Sequence, residues 1–214
     1  MEPKTGIRKI RVLVVDDHPM VRDGVLASVK SQQDMEIVGE ATCGQEALSL
    51  FPQARPDITL MDLRLPDIPG NEVITTIRST FPNARIIVLT TYQGDVQAVR
   101  AFKAGAMAYL LKSSLRKDLL NTIRAVYAGK KVIPPDIAAA MASHVVDDNL
   151  SARELQILRH VADGLSNKVI ADRLSISPDT VKSHLASAMA KLNANDRTHA
   201  VTIAVKRGYF DLDA

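Results

Sequence analysis

The chain has 214 residues, 46% of them hydrophobic and only 4% aromatic, with a formal net charge of +3. That length builds one large domain or two small ones, and so mild a charge neither demands nor excludes a nucleic-acid partner, so any DNA-binding role must rest on pattern. A single cysteine, Cys43, excludes an internal disulfide and a cysteine-built zinc site. With no signal-peptide core and no apolar run approaching the ~20 residues of a membrane helix, a cytoplasmic protein is expected.

In chain order, strand-length apolar runs alternate with helical patterns. IRVLVV (10–15) precedes the amphipathic MVRDGVLASVKS, and EIVGEA (36–41) precedes GQEALSLF. DITLMD (57–62) precedes NEVITTIRSTF, RIIVLT (85–90) precedes DVQAVRAFKAG, and MAYLLK (107–112) precedes SLRKDLLNTIRAVYAG, with Gly129 as its C-cap. Near-continuous Val, Ile and Leu marks strands buried on both faces. Five strands alternating with five helices predict a doubly wound α/β domain on a parallel sheet.

Ligands of such sheets bind beyond the carboxyl ends of the strands. Strand one ends in Asp16 and Asp17, strand three in Asp62, strand four in Thr90 and strand five in Lys112, while strand two ends in the unremarkable Ala41 and Thr42. Two like charges ~4 Å apart repel by about 4 kcal/mol at an effective dielectric of 20. Three carboxylates sharing a pocket therefore need more than the one ammonium of Lys112, and a hard divalent ion such as Mg²⁺ supplies the remainder. Such a site suits a phosphoryl group, which one carboxylate could attack. His18 reads as a rim residue at best, because Mg²⁺ prefers oxygen.

VDD near the N-terminus, MDLRLPDIPG around Asp62, VLT ending in Thr90 and GAMAYLLK ending in Lys112 together resemble the receiver domain of bacterial two-component response regulators. The resemblance implies a five-stranded flavodoxin-like sheet of order 2-1-3-4-5. It implies that Asp62 accepts the phosphoryl group from a histidine kinase. Asp16, Asp17, Asp62 and the backbone carbonyl of Arg64 would hold Mg²⁺, Lys112 would contact the phosphate, and Thr90 and Tyr109 would form the switch. Pro66 and Gly70 shape the loop after Asp62, and Arg64 and Tyr92 flank the site. Ala108 stands where the family usually has Gly, and Thr91 where a smaller residue is common.

After residue 129 the texture changes. GKKVIPPDIAAAMASHVVDDN reads as a linker (130–149) holding one short Ala-rich helix. From Leu150 the patterns are helical only. Ser151 and Glu154 form a capping box, with Leu155, Leu158 and Ala162 as the apolar side of the helix and Gly164 as its stop. Ser166 caps a short helix, and Ser175-Ile176-Ser177 forms a turn. Ser177 then caps a longer helix with Pro178 first, whose apolar face is Val181, Leu185, Ala188, Met189 and Leu192. A fourth helix spans roughly residues 196–206.

Short helix, tight turn and longer helix make a helix-turn-helix. LSARE, Gly164 with SNK and IA, and L-IS-TVK-H with KL following resemble the LuxR-type DNA-binding domain, with Ser187-Ala188 in place of the usual Asn-Ile and Ala190 where a basic residue is frequent. Lys182, Ser183 and Ala186 would enter the major groove, Lys168, Thr180 and Lys191 would touch phosphates, and His184 would donate to a phosphate or pack.

The expected protein is a NarL/FixJ-like DNA-binding response regulator, a cytoplasmic bacterial transcription factor and not a turnover enzyme. Its receiver spans 8–129 and its four-helix DNA-binding domain 150–208. Its expected partners are a cognate histidine kinase, double-stranded DNA with a two-fold site, and a second copy of itself when active, with no membrane. The alternatives are a phosphorylation-independent DNA-binding regulator and an aspartyl-phosphate hydrolase.

Overall fold

The computed structural model describes residues 8–91, 95–135, 137–139 and 150–210. Of the helix expected within the linker, Pro135 and residues 137–139 are described and helical, while its remainder and Tyr92 lie outside the described residues. The chain forms two compact units, and in sequence the first gives way to the second at Pro135 and Asp136.

The first unit runs β1 (Ile10–Val15), α1 (Pro19–Lys30), β2 (Met35–Ala41), α2 (Gly44–Ala54), β3 (Ile58–Asp62), α3 (Gly70–Thr80), β4 (Ile86–Thr90), α4 (Asp95–Ala104), β5 (Ala108–Leu111) and α5 (Leu115–Tyr127). Its five strands are parallel in the order 2-1-3-4-5. The expected fold is therefore the observed one. Val12, Val14, Ile58, Leu60, Ile87 and Leu89 are buried on one face against Val25 and Val29 of α1 and Leu119, Ile123 and Val126 of α5. Leu13, Val15, Met61, Ile86 and Val88, which alternate with them, are buried too. A sheet covered on both faces needs strands that are apolar throughout, which is why β1, β3 and β4 show no polar alternation.

Two boundaries differ from expectation. Lys112 falls outside β5, in a 3-10 turn, Lys112–Ser114, that leads into α5. Helix α2 continues past Phe51 through Pro52 to Ala54, and Arg55 closes it in the left-handed region (φ 41) with its N–H donating to Phe51 O at 2.9 Å.

Gly70 opens α3 and packs under the end of β3. A Cβ there would lie 2.2 Å from the backbone oxygen of Asp62 and 2.7 Å from Leu63 Cα, and backbone atoms cannot step aside as a side chain can. Gly70→Ala is expected to cost about 1–3 kcal/mol, with the loss concentrated at Asp62. A lowered melting temperature in differential scanning calorimetry checks this, and an unchanged one would show that the loop has slack.

The second unit contains α6 (Ala152–Ala162), α7 (Asn167–Leu174), α8 (Pro178–Leu192) and α9 (Arg197–Lys206). Side chains of Ser151, Ser166, Ser177 and Asp196 each accept a hydrogen bond from the first turn that follows, and the Ser151–Glu154 capping box is complete. The buried side of α6 is Glu154, Ile157, Leu158 and Val161, whereas Leu155 and Ala162 are only half-buried. The inward stripe is thus turned from the one expected, because it begins on an acid that the sequence pattern treated as polar. On α8, Val181, Leu185, Ala188 and Leu192 are buried as expected, and Met189 is half-buried.

Candidate functional site

The carboxyl edge of the sheet collects the expected groups. Asp16 follows β1, Asp62 ends β3 and Thr90 ends β4, and all three are buried. Strands β1, β3 and β4 are neighbours, so their ends stand side by side. β5 lies two strands from β3, about 10 Å at ~4.8 Å per strand, and a long side chain is needed to cross that gap. Lys112 crosses it, donating from Nζ to Asp16 Oδ1 at 3.0 Å and Asp62 Oδ2 at 2.7 Å, with Asp16 Oδ2 2.8 Å away.

His18 is drawn into the same group. Its Nδ1 lies 2.7 Å from Asp17 Oδ1, 3.4 Å from Asp16 Oδ1 and 3.8 Å from Asp62 Oδ2. Ligand-capable atoms of Asp16, Asp17, His18 and Asp62 all fall within 4.8 Å of one another. The expectation that His18 is at best a rim residue therefore understates its position. Its ring is half exposed, yet one nitrogen faces the carboxylates.

The electrostatics are strained by design of the sheet edge. Burial pushes the Asp62 carboxyl above its usual range; Lys112 and the Arg64 N–H, which donates to Asp62 Oδ1 at 3.1 Å, act against this, and Asp16 adds to it. Burial pulls the Lys112 ammonium down, but Asp16 and Asp62 outweigh it and leave the group above its usual value. Three carboxylates against one ammonium leave two negative charges uncompensated by the neighbouring lysine. That is the charge of one hard divalent ion with oxygen ligands. Tyr109 is buried beside Phe102, their ring centroids 6.5 Å apart. Burial pushes its phenol up to about 12, against a hydrogen bond with the Thr90 side chain. The two expected switch residues are thus already bonded to each other.

Asp67, in the loop after β3, was not singled out by its sequence. It accepts N–H bonds from Gly44 at 2.7 Å, Gln45 at 2.9 Å and Ile68 at 2.7 Å. The Gln45 and Gly44 bonds hold its carboxyl down at about 2. An exposed acid thereby ties the loop carrying Arg64 to the N-terminus of α2, where the helix dipole also favours a negative charge.

In the second unit, α7, the turn at Ser175 (φ 53) and α8 reproduce the expected helix-turn-helix. Lys168, Lys182, Ser183 and Ala186 are exposed, and Thr180 and His184 half-buried. The Thr180 hydroxyl is 2.8 Å from that of Ser177. Lys191 is held internally, donating to Glu154 Oε2 at 2.8 Å, while Ser187 Oγ donates to Glu154 Oε1 at 2.7 Å and Ser151 N to Oε2 at 2.7 Å. Arg153 and Arg197 likewise donate inward, to the carbonyls of Leu174 and Leu165. The cations left facing outward on the helix-turn-helix include Lys168 and Lys182.

Residues 12–124 match the response regulator receiver domain, and residues 148–204 match the bacterial regulatory proteins of the luxR family. The chain belongs to the response regulators with a LuxR-type DNA-binding domain. This regulator is 37% identical over 211 residues to YxjL, an uncharacterized transcriptional regulatory protein of Bacillus subtilis (strain 168), covering 94% of this chain and 97% of YxjL. It is 36% identical over 200 residues to the response regulator protein VraR of Staphylococcus epidermidis, covering 91% and 96% of the two chains. Among solved structures it resembles RcsB from Salmonella enterica serovar Typhimurium, bound to promoter P1flhDC in the presence of the phosphomimetic BeF3⁻. That match has a TM-score of 0.70 at 26% identity and covers 93% of this chain and 99% of RcsB. Among the described residues of the regulator, no helix is long and apolar enough to cross a membrane.

The Glu154 cluster was legible only as a capping box; its links to α8 join residues more than thirty positions apart. Burial pushes the Glu154 carboxyl up, but Lys191, Ser187 and Ser151 outweigh it and bring it to about 2. A folded-state value below the ordinary 4.5 means that Glu154 stabilises the fold fully above pH ~4.5, and that this contribution fades as pH falls toward 2. Glu154→Gln is therefore expected to lower stability at pH 7 and to flatten the loss between pH 4.5 and 2. Urea unfolding of the full chain across that range, followed by circular dichroism, measures both effects.

Proposed function

We propose that the regulator accepts a phosphoryl group on Asp62 from the phosphohistidine of a cognate kinase, and that phosphorylation promotes pairing of its chains on a two-fold DNA site. The observation that carries this reading is Asp62 itself: a buried carboxylate at the sheet's carboxyl edge, held by Lys112 at 2.7 Å with Asp16 and Asp17 beside it. An Asp62 carboxylate oxygen forms a bond to phosphorus as the N–P bond of the donor breaks, and the imidazole leaves with the electron pair. Lys112 then faces the transferred group and offsets its charge.

The cation reading fits the residues present, since two negative charges remain after Lys112 is counted and three of the four gathered side chains offer carboxylate oxygens. Asp16, Asp17, Asp62 and the backbone carbonyl of Arg64 would hold Mg²⁺. Bound there, Mg²⁺ supplies charge neutralisation for the phosphoryl oxygens. Thr90 and Tyr109, joined by their hydrogen bond, form a two-position element on which a phosphoryl group can act: a shift of the Thr90 hydroxyl toward it withdraws a partner from Tyr109.

On DNA, Lys182, Ser183 and Ala186 of α8 would face base edges while Lys168, Thr180 and His184 approach phosphates. Lys191 belongs to the same face but would have to share its ammonium with Glu154. The RcsB complex with promoter DNA and a phosphomimetic supports a DNA-bound, phosphorylation-linked state for this regulator. A cytoplasmic setting accompanies that role.

Incubation with Mg²⁺ and acetyl phosphate is expected to give an adduct of one phosphoryl group per chain, labile to acid and to base as an acyl phosphate is, detected by intact mass. Asp62→Asn should show none. Adduct formation without any change in DNA retention would remove the switch from this proposal, and rapid multiple turnover would replace it with a hydrolase.

Lys168→Ala is expected to weaken DNA binding and lower the salt slope by about 1, with the fold intact. Lys191→Ala is expected to show its loss in the melting temperature. Fluorescence anisotropy at several salt concentrations, paired with thermal melts, separates the two.

A further inference from the structure

We infer that His18 is a nitrogen ligand to the cation held in the receiver pocket, so that the site prefers imidazole-accepting ions such as Mn²⁺ and Co²⁺ to Mg²⁺. The inference deepens the cation reading of that pocket and rests on it.

Geometry is the first ground. Two ligands ~2.1 Å from one ion stand about 3 Å apart in an octahedron and about 3.4 Å apart in a tetrahedron. His18 Nδ1 stands 2.7, 3.4 and 3.8 Å from one oxygen each of Asp17, Asp16 and Asp62. Those separations bracket the edges of a coordination polyhedron.

The local backbone is the second ground. His18 occupies the N-cap position of α1 in extended conformation (φ −81, ψ 111), but its side chain makes no capping bond. Its N–H donates to Asp16 Oδ1 at 2.9 Å and its carbonyl accepts from Arg22 N at 3.0 Å. Pro19 next to it restricts the residue before it to extended backbone. The main chain is thus pinned on both sides while the imidazole is left over from helix capping, and its Nδ1 lies within 4 Å of three carboxylates. Lys112 Nζ is 3.4 Å from the same nitrogen, but an ammonium has no lone pair and competes for the carboxylates, not for the ion.

Ligand chemistry supplies the consequence. Mg²⁺ takes oxygen, keeps several waters and gains little from an imidazole. Later first-row ions gain affinity from nitrogen, increasingly from Mn²⁺ toward Co²⁺ and Ni²⁺. An all-oxygen pocket would separate these ions less than one with His18 in place.

The test uses the untagged full-length regulator, with calorimetric titration of Mg²⁺, Mn²⁺ and Co²⁺ against wild type, His18→Ala and His18→Asn. In parallel, electron spin-echo spectroscopy of the Mn²⁺-loaded wild type reads nitrogen coupling directly and needs no variant. The expected result is nitrogen modulation in wild type that is lost in His18→Ala. Co²⁺ affinity should fall about tenfold or more, while Mg²⁺ affinity changes little. Mg²⁺ binding with no nitrogen modulation, or Co²⁺ affinity unchanged or raised in His18→Ala, overturns the role of His18 and leaves the cation pocket standing. Failure of all three ions to bind wild type overturns both.

Discussion

Lys112 stands between two buried carboxylates, 2.8 Å from Asp16 and 2.7 Å from Asp62, and the chemistry of the receiver depends on that bridge being present but insufficient. Without it, Asp16 and Asp62 would be isolated charges in a nearly dry pocket, an arrangement that costs several kcal/mol. With it, the pocket still carries more negative than positive charge. Under the proposed function, that residual field is what would draw a divalent cation, and through the cation a phosphoryl group. A second lysine would have quenched the site. An apolar residue at position 112 would have left its acids unsupported.

The sheet makes this arrangement possible. Parallel strands point their carboxyl ends to one edge, and the order 2-1-3-4-5 places the ends of β1, β3 and β4 in succession. Asp16, Asp62 and Thr90 are therefore brought together by hydrogen-bonded register, not by loop conformation. The loops then refine the edge. Gly70 lets α3 begin against the backbone of Asp62, and Asp67 fastens the intervening loop to the start of α2. Rigid strands carrying the acids, with a stapled loop beside them, suit a site whose ligands must hold their spacing.

The DNA-binding unit repeats the theme of a buried acid with an inward-facing cation. Glu154 starts as a capping residue of α6 and ends as the junction between α6 and α8, holding Ser187 and Lys191. This fixes the helix that would lie in the groove relative to its support. It also draws a cation away from the surface. Arg153 and Arg197 are spent in the same way, on carbonyls of Leu174 and Leu165, so the basic residues counted in the sequence overstate the charge that faces outward.

Strand and helix order, the acids at the strand ends, the serine caps of α6, α7 and α8, and the recognition-helix register were all legible in the sequence, because each is a local or periodic property of the chain. The parallel sheet followed from alternation alone, and its strand order from the resemblance. Beyond the pocket that the strand ends and the resemblance assembled, what the sequence could not hold was which further distant side chains meet. The convergence of His18 on three carboxylates, the Thr90–Tyr109 bond, the anchoring of Asp67 on α2 and the capture of Lys191 by Glu154 each depend on where separate elements are placed in space. Periodicity determines which face of an element is buried; only packing decides which polar group on that face finds a partner, because hydrogen bonds and ion pairs are set by distances of a few ångströms that no spacing along the chain encodes.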